Sequence, residues 1–318
     1  MNDWREEITL NIEGIKIIGQ ELNRDKTEKL LIRIAKSNKN ILILGETGTG
    51  KDVLAKKIHD WSDKRNDPFV AINCASIPHE LFEAELFGFS KGSFTGAYNE
   101  KIGLLEAAQN GTIFLDEIGE LSLFHQAKLL RVVENKIFRR IGETKERLCK
   151  ARFIFATNKD LVAAVKSGSF RQDLYYRISI VQIYISPLRF NLNIIPSLIK
   201  SILDRENENQ NQNKVITKEA IRKLMSYDYP GNIRELINII ERAFLLSDDD
   251  MIKPDDIHFD NIIHKGTNHK AKNGLSVDRL REVLEACRWN KSEAAKRIGT
   301  SRRHLYRLIQ KYKIDCVI

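Results

Sequence analysis

The chain has 318 residues, of which 42% are hydrophobic and 30% charged, a balance that is ordinary for a soluble globular protein. No apolar run approaches the roughly 20 residues that a membrane helix needs, and residues 1–7 lack the basic-then-apolar pattern of a secretory signal. We therefore predict a cytoplasmic protein with no membrane partner. The length allows one sizeable α/β core and one or two small helical modules, at about 150 residues per domain.

Five short aliphatic and β-branched runs, each followed by turn residues and a helical pattern, predict a mainly parallel sheet with helices on both faces. They lie at residues 41–44, 69–72, 112–115, 152–156 and 181–185. After Pro187 the strand patterns stop, and the sequence to about Phe259 predicts a small helical lid. A polar stretch at 206–213 predicts an exposed loop within that lid.

A glycine-rich turn follows the first predicted strand and precedes a helical stretch, which is the context of a phosphate-binding loop. Glycines let backbone N–H groups close around phosphate oxygens, and Lys51 supplies a cation for the phosphates. At Asp52 the chain departs from the general pattern, in which Ser or Thr reaches Mg²⁺. The candidate nucleotide-binding residues here are Gly45, Glu46, Thr47, Gly48, Thr49, Gly50, Lys51 and Asp52.

The third predicted strand ends in Asp116 and Glu117, which places two carboxylates at the edge where α/β sheets bind ligands. A surface acidic pair is the alternative, but it explains poorly why apolar residues run directly into both acids. Asn73 and Asn158 stand just past two other strands, although asparagine at a strand end is usually a turn residue.

Residues 92–97 read Gly-Ser-Phe-Thr-Gly-Ala, and two glycines around an apolar side chain and a hydroxyl favour a projecting loop. We expect Phe94 to be exposed on this loop. The alternative is a surface turn whose phenylalanine folds back into the core.

The C-terminal region combines a helical pattern with concentrated positive charge. After a linker-like stretch, Ala295, Gly299, Leu305 and Leu308 fall at the spacing of a helix-turn-helix. Nine basic residues against one acidic residue between 288 and 313 suit a phosphate backbone. A helical hairpin with a solvated basic face is the alternative. The candidate DNA-contacting residues are Ser301, as N-cap of the second helix, and Arg302, Arg303 and Arg307.

Taken in order, these motifs resemble those of the bacterial enhancer-binding proteins, the AAA+ activators of sigma-54 RNA polymerase. The resemblance covers about residues 18–314, and 290–299 closely resembles Fis-type DNA-binding modules. The family's loop is usually Gly-Ala-Phe-Thr-Gly-Ala, so this chain departs from it at Ser93. An acidic residue at the position of Asp52 is typical of the family.

The resemblance implies ATP hydrolysis with Mg²⁺. Asp116 would help to hold the metal, and Glu117 would act as general base towards the attacking water. Asn73 matches the asparagine that restrains this glutamate until the partner is engaged, and Asn158 matches the sensor of the γ-phosphate.

It also implies partners. Phe94 and Thr95 would contact sigma-54, and Arg234 would reach the phosphates from the lid. Arg171 and Arg177 would act as arginine fingers on the neighbouring subunit's nucleotide, within assemblies from dimer to hexamer.

The predicted organisation is a short extension at 1–17, an AAA+ core at 18–188, a lid at 189–260, a linker at 261–274 and a helix-turn-helix domain at 275–318. So short an extension predicts that control comes from elsewhere, and a separate regulatory protein, a partner subunit or regulated expression would each fit. After Arg189 the chain lacks the family's usual further arginine and acidic residues. The alternative function is an ATPase-bearing DNA-binding regulator that acts on polymerase without sigma-54.

Overall fold

The computed structural model describes residues 14–21 and 23–259, together with Leu284. The chain divides into one unit at 1–259 and a second at 260–318. The predicted linker and helix-turn-helix domain, and with them Ser301, Arg302, Arg303 and Arg307, lie outside the described residues, as do residues 1–13 of the extension.

A seven-stranded sheet forms the centre of the first unit, in the order β2-β1-β11-β3-β10-β7-β4. Its strands are β1 (Ile15–Ile17), β2 (Gln20–Glu21), β3 (Ile41–Gly45), β4 (Phe69–Asn73), β7 (Thr112–Asp116), β10 (Arg152–Thr157) and β11 (Val181–Ile185). The five neighbouring strands β11, β3, β10, β7 and β4 pair in parallel, as the sequence predicts. Strands β1 and β2, which no sequence pattern predicts, add an antiparallel edge.

Helices cover both faces of this sheet because its strands are apolar on both sides. In β10, Phe153 and Phe155 pack into one core cluster, whereas Ile154 packs into the cluster on the opposite face. The covering helices are α1 (Arg24–Lys36), α2 (Lys51–Asp60), α3 (His79–Phe87), α4 (Leu104–Ala107), α5 (Leu123–Asn135), α6 (Leu161–Lys166) and α7 (Gln172–Ile178). Short 3-10 helices lie at Ile118–Glu120, Leu188–Phe190, Leu192–Ile194 and Pro254–Asp256.

Two short antiparallel ladders stand apart from the main sheet. One pairs β5 (Gly88–Phe89) with β6 (Lys101–Ile102) and closes the base of the loop that carries Phe94. The other pairs β8 (Ile137–Phe138) with β9 (Arg147–Leu148). The backbone joins the two, since Ile141 N–H donates to the carbonyl oxygen of Gly88 over 2.9 Å.

The lid consists of α8 (Ile195–Gln210), α9 (Lys218–Met225) and α10 (Asn232–Leu246) around a separate apolar cluster. Two predictions are wrong here. Helix α8 continues to Gln210, through part of the predicted loop, and ends where Asn211 adopts a left-handed φ of 51°. Strands also recur after Pro187, since β12 (Val215–Ile216) and β13 (Met251–Ile252) pair in parallel. Among the described residues, no helix combines the length and apolarity needed to cross a bilayer.

Candidate functional site

The loop between β3 and α2 has the backbone of a phosphate-binding loop. Gly48 and Gly50 adopt φ values of 80° and 87°, in the left-handed region that glycine occupies without steric cost. The Thr49 hydroxyl donates to the Glu46 carbonyl oxygen over 2.8 Å and closes the turn. The first turn of α2 therefore begins at Lys51 with its N–H groups facing this loop.

Lys51 is buried at the centre of this loop, with 6% of its surface exposed. Its Nζ donates to the carbonyl oxygens of Gly45 at 3.1 Å and Glu46 at 3.2 Å. The same atom lies 3.9 Å from Oε1 of Glu117. The structure thus brings the predicted cation and the predicted general base to one point.

Asp116 and Glu117 end β7 at the same edge of the sheet. Burial raises the pKa of the Asp116 carboxyl, while the positive charge of Lys51 opposes that shift. Glu117 has a left-handed φ of 52°, which turns the chain at the strand end. Its Oε2 accepts from the backbone N–H of Asn158 over 3.3 Å. The carboxylate of Glu117 is therefore held between Asn158 and Lys51.

The two predicted asparagines differ in what they contact. Asn158 Nδ2 donates to the hydroxyl of Thr47 over 2.9 Å, so this residue joins β10 to the phosphate-binding loop. Asn73 lies opposite Asp116 in the β4–β7 register. Its Oδ1, however, accepts from Ala75 N–H over 2.9 Å and forms a local turn. The restraining contact to Glu117 that the resemblance implies is not among the contacts of the described residues.

The lid reaches the phosphate-binding loop through the start of α10. The backbone N–H groups of Ile233 and Arg234 both donate to the Gly48 carbonyl oxygen, over 3.0 Å and 3.3 Å. A Cβ on Gly48 would lie 2.3 Å from the carbonyl oxygen of Gly231, so only glycine fits this approach. The exposed side chain of Arg234 consequently begins beside the loop.

Two contacts at this junction were missed by the sequence analysis. Arg189 donates both guanidinium Nη atoms to the carboxylate of Glu46, and Asn232 donates to the same carboxylate. In the sequence, Arg189 marks only the start of an altered segment, and Asn232 simply follows a Pro-Gly pair. No spacing in the sequence indicates that either side chain meets Glu46.

The predicted arginine fingers lie at α7, where Arg171 is the N-cap residue and Arg177 belongs to the last turn. Arg171 pairs with Asp173 at 2.7 Å, and Arg177 pairs with Glu134 at 3.0 Å. Both side chains are largely exposed, with 41% and 51% of their surface accessible. Their placement on the outside of the chain is compatible with reaching another subunit.

Phe94 and Thr95 stand at the tip of the loop between β5 and β6. Phe94 is 46% exposed, and its ring meets Phe89 edge-on at a centroid distance of 5.0 Å. This confirms the predicted exposure of Phe94. The backbone turn is closed by the Gly92 N–H, which donates to the Ala97 carbonyl oxygen over 2.8 Å.

A buried arginine ties the base of this loop to the β8–β9 hairpin. Arg140, only 6% exposed, donates Nε and Nη2 to the two carboxylate oxygens of Glu106 at 3.0 Å each. Its Nη1 donates to Glu100 at 3.0 Å. Glu100 precedes β6 and Glu106 lies in α4, so a single guanidinium joins three elements.

The donor set at the sheet edge fits a nucleotide with Mg²⁺. Lys51 offers an ammonium group beside the glycine turn, and the oxygens of Asp116 and Glu117 are the ligand type that Mg²⁺ prefers. The positive φ values of Gly48 and Gly50 give the loop the turn that lets backbone N–H groups surround a phosphate.

Family comparisons match three consecutive segments. A sigma-54 interaction domain matches residues 17–184, an AAA+ ATPase lid domain matches 194–289, and a Fis-family bacterial regulatory segment matches 278–312.

Curated relatives and a solved structure agree with these matches. The chain is 39% identical to the response regulator protein PilR of Pseudomonas aeruginosa, covering 89% of this chain and 66% of that one. It is 37% identical to a Nif-specific regulatory protein of Azotobacter vinelandii, covering 98% and 62%. The chain thus spans less than two thirds of the length of these relatives. The crystal structure of NtrX from Brucella abortus in complex with ATP aligns with a TM-score of 0.68 and 29% identity, over 93% of this chain and 69% of that one.

Proposed function

We propose, from the premise that this chain belongs to the family of proteins with a sigma-54 interaction domain, that it hydrolyses ATP to activate transcription by sigma-54 RNA polymerase. The observation that carries the proposal is the presence of two sites in one folded unit. One is the nucleotide edge around Lys51 and Glu117, and the other is the exposed loop with Phe94 and Thr95.

The proposed chemistry follows from the positions of the side chains. Lys51 neutralises β- and γ-phosphate charge, and Asp116 helps to hold Mg²⁺, which supplies further positive charge to the phosphates when bound. Glu117 orients the attacking water and accepts its proton, since its carboxylate is already fixed by the Asn158 N–H. The Asn158 amide, bonded to Thr47, links the water side of the site to the phosphate side.

The proposed coupling to the loop uses consecutive elements. The loop ends at β6, α4 follows, and β7 then carries Asp116 and Glu117 to the site. Since Arg140 binds Glu106 of α4 and Glu100 beside β6, the β8–β9 hairpin is attached to the same path. A change at the carboxylates therefore has a short covalent and ionic route to Phe94 and Thr95.

The remaining partners belong to the same proposal. The Fis-family segment would bind double-stranded DNA upstream of the promoter through Arg302, Arg303 and Arg307, with Ser301 as helix cap. Copies of the chain would assemble from dimers towards a hexamer, in which Arg171 and Arg177 reach the neighbouring nucleotide. The complex would act in the cytoplasm.

The test is complex formation between the purified chain and isolated sigma-54, with ADP and aluminium fluoride as mimic of the transferring phosphate. We expect a complex that migrates as one species in size-exclusion chromatography. Thr95→Ala should abolish it, while Thr95→Ser, which keeps the hydroxyl, should retain part of it. ATP turnover measured without sigma-54 should remain within about twofold of the unaltered chain in both variants, since Thr95 lies on the exposed loop.

Normal ATP turnover without any complex would overturn the sigma-54 assignment and favour a regulator of polymerase that lacks sigma-54. A complex that persists in Thr95→Ala would leave the partner in place but contradict the role of the loop. Loss of ATP turnover in the unaltered chain would overturn the enzymatic proposal itself.

A further inference from the structure

The junction between the phosphate-binding loop and the lid is built from side chains that the proposed chemistry does not use. We propose that Arg189 and Asn232 are positioning residues for ATP: through Glu46 and Gly48 they lock the loop to the first turn of α10 and so fix where Arg234 meets the phosphates. This inference rests on the proposed ATPase function.

The Glu46 side chain faces the lid. Arg189 Nη1 donates to Oε2 at 2.8 Å and Nη2 donates to Oε1 at 2.6 Å, a bidentate pair of the stronger kind. These bonds hold the pKa of the Glu46 carboxyl below its usual value, against the opposing effect of burial. Glu46 meets Lys51 and Thr49 only through its backbone carbonyl oxygen. Its predicted contact with nucleotide is therefore indirect, by shaping the loop.

Asn232 completes the lock from the other side. It is fully buried, and its Nδ2 donates to Glu46 Oε2 at 3.2 Å and to the Thr47 carbonyl oxygen at 3.0 Å. Its Oδ1 accepts from the Leu188 N–H over 2.9 Å. One amide thus touches the phosphate-binding loop, the connection before the lid and the start of α10.

The backbone of Asn232 shows that this arrangement is constrained. Its φ is 55°, in the left-handed region that asparagine tolerates better than most residues. The turn places the next two N–H groups, of Ile233 and Arg234, on the Gly48 carbonyl oxygen. Because Gly48 is itself part of the phosphate-binding loop, a shift of α10 would alter the loop, and a shift of the loop would move Arg234.

Arg189 lies on the connection between the sheet and the lid, so a motion of the lid would displace it. It lies in the 3-10 helix Leu188–Phe190, directly after β11 and before the lid helices. Its bidentate pair with Glu46 joins this connection directly to the phosphate-binding loop. The Arg189–Glu46 pair therefore couples lid orientation to the nucleotide loop in this chain.

The test compares affinities for ATP and ADP in a set of variants. These are Arg189→Gln, Arg189→Lys, the isosteric Glu46→Gln, Arg234→Ala and two double variants, which combine Arg189→Gln with Glu46→Gln and Arg189→Gln with Arg234→Ala. Lys253→Met is the matched control, because it breaks an exposed lid ion pair, with Asp249 at 2.5 Å, away from the loop. Dissociation constants are measured with fluorescent mant-nucleotides, alongside kcat, KM and the nucleotide-free Tm.

We expect Arg189→Gln, Glu46→Gln and Arg234→Ala each to weaken ATP binding by roughly tenfold and ADP binding by less. Arg189→Lys should recover part of the loss, since it keeps the charge but not the bidentate geometry. The variant that combines Arg189→Gln with Glu46→Gln should bind ATP no worse than either single variant. Arg189→Gln should add little to Arg234→Ala, because both changes remove the same phosphate contact.

Two results would overturn the inference. One is an ATP affinity in Glu46→Gln and Arg189→Gln equal to that of Lys253→Met. The other is an equal loss of ATP and ADP binding that follows a lowered Tm, which would assign these residues to stability alone. If the unaltered chain binds no ATP, the proposed function fails as well, and that outcome is recognised before any variant is made.

Discussion

Two glycine-rich loops of similar composition, at 45–51 and 92–97, have opposite roles in this fold. Gly48 and Gly92 adopt nearly the same left-handed φ, 80° and 79°. A Cβ on Gly48 would lie 2.3 Å from a backbone oxygen of the lid, whereas a Cβ at Gly92 or Gly96 would meet nothing within 4 Å. Glycine therefore permits close approach in the first loop and only a turn in the second. The first loop packs closely against the lid at the nucleotide site, and the second projects Phe94 outward.

The largest effect should come from adding a methyl group to each loop. Gly48→Ala combines left-handed strain with a backbone clash, so we expect it to lower the free energy of unfolding by about 3 kcal/mol or more and to abolish ATP binding. Gly92→Ala carries the strain alone and should cost about 1 kcal/mol. Urea unfolding and mant-ATP titration measure both. Equal destabilisation by the two substitutions would refute the distinction between the loops.

The contrast between these loops also marks the limit of sequence reasoning. The five parallel strands were predictable because each is a continuous apolar run that ends in turn residues, and the exposure of Phe94 followed from its glycine neighbours. Strands β1 and β2 have three and two residues, too few for any periodicity to be visible. The Arg189–Glu46 pair was beyond prediction for another reason: its members are 143 residues apart, and only the path of the lid brings them together.

The extension of α8 has a similar explanation. The polar sequence at 206–210 favours a loop when considered alone. In the fold, Arg205 donates to Glu206 and to Glu241 of α10. The side chain of Asn207 donates through Nδ2 to the Lys214 carbonyl oxygen and accepts through Oδ1 from the Lys214 N–H. Glu241 and Lys214, which come from elsewhere in the lid, thus help to stabilise a helical turn that its own composition does not predict.

A second effect should separate binding from stability at the nucleotide edge. The pKa of Asp116 is raised by burial, so the folded state holds a proton more tightly than the unfolded chain. Stability from this residue is present below its ordinary pKa and is lost as the pH rises through the folded value, which makes the carboxylate a net cost at neutral pH. Asp116→Asn should therefore raise Tm at pH 7.5 while reducing ATP hydrolysis at least 100-fold, on the order of a lost metal-site or electrostatic group.

Glu117→Gln is the control for the loss of activity, because it should also remove ATP hydrolysis. The difference in Tm between Asp116→Asn and the unaltered chain should shrink as the pH is lowered towards 4, since the folded carboxyl takes up a proton and its buried charge is lost. A lower Tm for Asp116→Asn at pH 7.5 would contradict the cost assigned to the buried carboxylate.

At the projecting loop the expected effect on stability is smaller and the effect on function is large. Phe94 is nearly half exposed and packs mainly on Phe89, so Phe94→Ala should cost only about 1 kcal/mol. The complex with sigma-54 in ADP and aluminium fluoride should nevertheless be lost. Leu245→Ala, at a lid position with 68% exposure, is the control and should leave the complex intact. A complex that survives Phe94→Ala would show that exposure of this ring is not used for recognition.

The smallest effect concerns Ser93, where the chain differs from the family's usual alanine. Its hydroxyl oxygen is buried and has no hydrogen-bond partner among the described residues. The side chain lies against Gly142 of the β8–β9 hairpin, where an added Cβ would stand 2.4 Å from that of Ser93. A buried hydroxyl without a partner is a cost, so Ser93→Ala should raise the free energy of unfolding by up to about 1 kcal/mol.

Ser90→Ala provides the opposite case in the same loop. The Ser90 hydroxyl donates to the Ile141 carbonyl oxygen over 3.3 Å, and its removal should lower stability by about 0.5 kcal/mol. If the hydroxyl of Ser93 weakens the contact between loop and hairpin, then Ser93→Ala should hold the loop more firmly and reduce the yield of the sigma-54 complex without changing ATP affinity. Ser93→Ala should therefore raise the calorimetric Tm and lower the complex yield, whereas Ser90→Ala should lower the Tm and raise the yield. Changes in the same direction for the two variants would show that Ser93 behaves as an ordinary loop residue.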